Sequence, residues 1–124
     1  MSSKESHTYF LEVFEQLNIL STSDKIKFFE ALLFCFTITG RAIWSDDKAT
    51  DTEKVEAFKW LNELCHRTWN IRCELQRNEN NDSVNRLYEN MKSYGGNSPL
   101  LMAHFIPAVL DAYDIYKNKT AATN

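Results

Sequence analysis

From Thr52 to Arg77 the core-type positions recur at alternating steps of four and three: Ala57, Leu61, Leu64, Thr68, Ile71 and Leu75. An α-helix turns once in about 3.6 residues, so this spacing draws one stripe along one side of a helix. A strand is incompatible with it, because strand side chains alternate faces with period two. A second stripe, Val55, Phe58, Cys65, Trp69 and Cys73, runs beside the first. Together they predict a wide apolar arc packed on two sides, with Glu56, Lys59, Glu63, Arg67, Asn70 and Glu74 left to water. A chain built around such a helix is driven towards a helical bundle.

The rest of the chain repeats the pattern. Lys4 to Leu20 carries Phe10, Val13, Phe14, Leu17 and Leu20 at helical spacing, behind a Ser2/Glu5 capping box. Ser21 to Asp24 breaks that helix and caps the next, about 24–44, which is apolar on almost every side around Ala31–Ile38 and so reads as enclosed by other helices. Its polar positions Glu30, Thr37 and Arg41 share one side. Thr50 or Asp51 caps the helix over about 52–77, and residues 78–82 read as a loop. A fourth helix, Ser83 to Tyr94, is expected to stop at Gly95-Gly96 with a positive φ. Ser98-Pro99 starts a fifth that reaches about Lys117, kinked or split at Pro107. With only 3 Gly and 2 Pro in 124 residues, the expectation is an all-α, single-domain bundle of about five helices around the 52–77 helix. Its ends, about 1–5 and 118–124, are expected to fray.

Composition narrows the function classes. An aromatic content of 13% excludes collagen-like and disordered chains. Net charge −3, from 14 basic against 17 acidic residues, disfavours a non-specific nucleic-acid binder. Cys35, Cys65 and Cys73 lie singly in apolar stretches and read as buried, reduced thiols. The longest apolar run, Ala31–Ile38, is far short of the ~20 residues of a spanning helix. With a polar N-terminal stretch, these features point to a cytoplasmic protein without membrane contact.

No motif for catalysis stands out. Glu63-x-x-His66 has the form of a di-iron half-site, but the second copy is missing, since Leu101 precedes His104 where an acid is required. The cysteines lack the close pairing of zinc ligands. Neither a metal nor a cofactor is expected, nor catalytic residues. Arg41, Asn62, His66 and Arg72 fall within or beside apolar arcs and are candidates for buried polar groups. Arg41 and Arg72 either pair with Glu30, Asp111 or Asp114 or line a pocket for an anion. The remaining candidate is the acidic connection after Trp44. Trp44, Asp46, Asp47, Asp51, Glu53 and Glu56 place an aromatic anchor beside negative charge, which suits a basic protein partner such as a toxin or nuclease. Aromatics such as Phe10, Phe28, Phe29, Trp60 and Tyr116 exceed what one core is expected to hold, and the surplus points to an interface. The expected function is a non-enzymatic protein-binding module of the inhibitor, immunity or antitoxin kind, from a microbe. An Arg-lined small-molecule or enzymatic cavity and a homodimeric structural protein are the alternatives.

Overall fold

A computed structural model describes residues 3–79 and 82–123, with side chains over 8–79 and 82–119. Five helices pack against one another: α1 Ser3–Asn18, α2 Thr22–Trp44, α3 Asp51–Gln76, α4 Ser83–Asn97 and α5 Pro99–Thr123. The protein is an all-α bundle, as its periodicity requires.

Each start has a local chemical cause. The Ser21 Oγ accepts the Asp24 N–H at 3.2 Å and opens α2. Thr50 and Glu53 form a reciprocal capping box at α3: the Glu53 N–H donates to Thr50 Oγ1 (3.1 Å) and the Thr50 N–H to Glu53 Oε1 (3.0 Å). That bond from the Thr50 backbone holds the Glu53 carboxyl below the usual range. Ser98 Oγ accepts the Leu101 N–H at 3.2 Å and opens α5. The Ser2 cap expected for α1 lies outside the described residues.

The β-branched stretch Thr37-Ile38-Thr39 is helical, and the Thr39 hydroxyl donates to the Cys35 carbonyl one turn back at 3.0 Å. Two features depart from expectation. α4 does not stop at Gly95-Gly96 but runs through both to Asn97, and neither glycine has a positive φ. A Cβ on Gly95 would stand 2.9 Å from Met102 Sδ, so this residue lets α4 approach α5 rather than ending a helix. Pro107 does not split α5, which runs continuously past Asn118 to Thr123.

The core is shared by all five helices. Phe10, Val13, Phe14 and Leu17 bury one face of α1, and Phe28, Phe29, Leu32, Phe36 and Ile43 one face of α2. From α3 come Ala57, Leu61, Leu64, Thr68, Ile71 and Leu75, the first stripe read from the sequence. α2 and α5 make the most extensive pairing, and α5 packs against each of the other four. α3 is flanked by α2 and α4 and also meets α5. Phe10, Phe28, Phe29 and Tyr116 all fit this core, and Trp60 is half-buried, stacked on Tyr94 at 5.2 Å. The expected aromatic surplus is therefore not among these residues, because five helices offer more interior than a single central helix would.

Candidate docking surface on α2 and α3

α2 and α3 run antiparallel in a register fixed by three contacts. Arg72 Nη2 donates to Glu30 Oε1 at 2.9 Å near one end. Trp44 and Phe58 bring their ring centroids to 6.2 Å near the other. Between them Gly40 faces Phe58 and Leu61, with room for no more than van der Waals contact at its Cβ position. The level opposite α2 residue n is thus α3 residue ~102 − n, with a rise of about 1.5 Å per residue on each helix.

The outward side of this hairpin is unusual for a small bundle. Phe34 is 66% exposed, Ile38 54%, Trp44 67%, Val55 67% and Trp69 51%. Aromatic side chains present about 150–250 Å² each. The five together leave on the order of 600 Å² of apolar surface in water, the upper limit of ordinary patches on monomers. They sit in two stripes at steps of four and three: Glu30, Phe34, Thr37, Arg41, Trp44 on α2, and Asp51, Val55, Phe58, Asn62, Cys65, Trp69 on α3. Ile38 flanks the first towards α5.

Polar groups hold the two tryptophans in place. Lys54 Nζ donates to the Trp44 carbonyl at 2.8 Å and lies 5.7 Å from the centre of its ring. A cation there also meets the negative end of the α2 dipole. The Arg72 guanidinium lies 5.0 Å from the Trp69 ring, with Nη1 on Gln76 and Nη2 on Glu30. These cation–π contacts orient the rings without covering them.

The acidic segment is less available than its composition suggests. Asp46 turns inward: its Oδ2 meets His104 Nε2 at 2.9 Å and its Oδ1 accepts the Lys48 N–H at 3.0 Å. The His104 contact first, then the Lys48 bond, holds the Asp46 carboxyl below the usual aspartate range. Glu53 is spent on the capping box, and Glu56 accepts the Trp60 indole N–H at 2.8 Å. Trp44, Asp47 and Asp51 remain exposed.

The candidate buried polar groups need correction. Asn62, His66 and Arg41 are exposed. Each lies on a side of α2 or α3 that no other helix covers, so water solvates it and no interior partner is required. The same open side explains why α2 is not enclosed, and why Val55 and Trp69 of the second stripe are not core. Arg72 alone is largely withdrawn from water, with its side chain 17% exposed, and it pairs with Glu30, one of the acids available to it. Arg41 and Arg72 do not share a cavity: Arg72 is engaged and Arg41 stands in the open. Cys35 is buried, whereas Cys65 and Cys73 are half-buried at the edge of the open face; all three are free thiols.

Two other concave sites hold polar groups, several of which are engaged with neighbours. A cleft of about 320 Å³ between α3 and α4 is lined by Arg67, Asn70, Asn85, Arg86 and Glu89. Its arginines pair with Glu63 and Glu74. A groove of about 210 Å³ between α2 and α5 holds Cys35, Thr39, His104 and Asp111. There burial, then Asp111, pushes the Cys35 thiol up, which keeps it protonated and opposes its use as a nucleophile. Glu63 of the Glu-x-x-His unit pairs with Arg67 at 3.4 Å. Among the described residues no three His, Cys, Asp or Glu side chains are grouped to hold a metal ion, and no helix is long and apolar enough to cross a membrane.

Phe34, Ile38, Val55 and Trp69 are the members of this surface that sequence reasoning did not single out. The four-three spacing of the polar residues Glu30, Thr37 and Arg41 with Phe34 and Trp44 was the available signal, because polar side chains mark the wet side of a helix. Comparison with protein-family models, with curated proteins and with solved structures finds no match to this chain.

Proposed function

We propose that this protein is a non-enzymatic docking module, and that the outer face of α2 and α3 is the surface through which it binds another protein chain. The observation that carries the reading is the concentration of Phe34, Ile38, Trp44, Val55 and Trp69 on one side of one helical hairpin. Large apolar side chains in contact with water cost free energy that burial against a partner recovers, at about 25 cal/mol per Å². Trp and aromatic anchors at the middle of a patch are also the residue types that dominate binding energies. The acidic contribution reduces to Asp47 and Asp51, which rim the face beside Trp44.

Site-specific photo-crosslinking tests the reading. A benzophenone side chain replacing Phe34 or Val55 should give defined protein adducts in cells, and the same group replacing Asn85 on α4 should not. Adducts at Asn85 with none at Phe34 and Val55 would place binding elsewhere and overturn it.

A further inference from the structure

We infer that the occupant of this face is a second copy of the chain, which completes a four-helix bundle from two α2–α3 hairpins. The inference rests on the docking reading above and names its partner.

The first argument is the layering of the face. The antiparallel register puts Glu30 level with Arg72, Phe34 with Trp69, Thr37 with Cys65, Arg41 with Asn62 and Trp44 with Phe58. Each level is therefore of one chemical kind across both helices: ionic, apolar, small, polar, apolar. A two-fold axis parallel to the helices lays α2 of one copy on α3 of the other without shifting any level. Phe34 then meets Trp69 of the second copy, and Trp44 meets Phe58 and Val55 of the second copy. An isologous interface demands this self-matching, since every contact occurs twice. An unrelated partner would have to reproduce the same order of levels.

The second argument is charge. Arg41 stands on the α2 stripe between the exposed Ile38 and Trp44, is itself exposed, and its guanidinium has no ion-pair or hydrogen-bond partner among the described residues. In the dimer it lies opposite Asn62 of the second copy, whose side-chain carbonyl can accept from the guanidinium. A polar pair at one level of an apolar seam fixes register.

Area and spacing agree. About 600 Å² of exposed apolar side chain approaches the ~800 Å² per partner of a standard interface. The four-three spacing on both helices is that of helices packed at about 20° in four-helix bundles.

Light scattering on the purified protein over a dilution series from micromolar upward tests the inference. The mass should be twice the 14.5 kDa of one chain. Trp69→Glu should weaken association by roughly 30-fold or more, as loss of an anchor does, while circular dichroism stays that of the wild type. Asn62→Lys sets a cation against Arg41 of the other copy and should give a monomer. Mixing it with the Arg41→Glu variant should restore the doubled mass, because the new carboxylate on α2 of one chain would then face the new ammonium on α3 of the other. Failure of the mixture to associate would overturn this pairing. A monomer at every concentration would overturn the second copy but not the docking reading, which the adducts at Phe34 decide separately. A doubled mass unaffected by Trp69→Glu and Phe34→Glu would put the dimer on another surface and overturn the inference, again leaving the docking reading to the adducts.

Discussion

Asp46 and the glycine pair show how much single positions decide here. Asp46 ties the α2–α3 connection to α5 through His104, and its carboxyl lies below the ordinary range. As pH falls, the unfolded chain therefore takes up this proton first. The stabilisation is complete above the ordinary aspartate value of about 3.9 and is lost as pH drops through the depressed folded value. Asp46→Ala should lower the urea midpoint at neutral pH, and its gap from the wild type should narrow in acid below about pH 4. An equal gap at both pH values would contradict this role. Gly95 and Gly96 are neighbours in one helix with opposite surroundings. An added methyl at Gly96 meets nothing within 4 Å, whereas at Gly95 it presses on Met102. Gly96→Ala should raise stability by about 0.5–1 kcal/mol through helix propensity. Gly95→Ala should lose that gain to the crowded contact with α5, and thermal unfolding of the two variants distinguishes them.

At the scale of elements, starts were more legible than stops. Thr50-x-x-Glu53 and Ser98-Pro99 mark α3 and α5 because an N-terminus needs a side-chain acceptor for its free amides, and few residue types supply one. Thr50→Ala should cost about 1 kcal/mol in chemical denaturation, the usual value for a lost cap. Stops are weaker signals: Gly95-Gly96 looks like one, but close packing on Met102 keeps the helix going. Pro107 is a similar case. Its ring removes a donor to the carbonyl one turn back, yet packing of α5 against four helices carries the helix through it. Because Pro107 is exposed, Pro107→Ala should recover about 1–2 kcal/mol, less than the full interior proline cost, since the freed unfolded chain offsets part of it. A variant less stable than the wild type would show that the helix relies on the proline.

For the molecule as a whole, the first stripe of α3 was fully legible, because a core position is defined by its own helix's periodicity. Which side of a helix has no neighbour is not a local property. Val55 and Trp69 read as a second core stripe, and Phe34 and Ile38 as enclosed, since hydrophobicity records that a side chain avoids water and not which chain shelters it. That ambiguity moved the aromatic surplus from residues such as Phe28, which the core absorbs, to Phe34, Trp44 and Trp69, which it does not. It also reduced the acidic candidate, because Asp46, Glu53 and Glu56 are spent inside the fold. The molecule is thus a bundle with one hairpin facing outward in apolar dress. Hydroxyl-radical labelling of Trp44 and Trp69 in the assembled protein tests that claim most directly. Both indoles should be protected relative to a Phe34→Glu variant of unchanged helicity. Equal oxidation in the two proteins would mean that the face remains in water and that no second copy covers it.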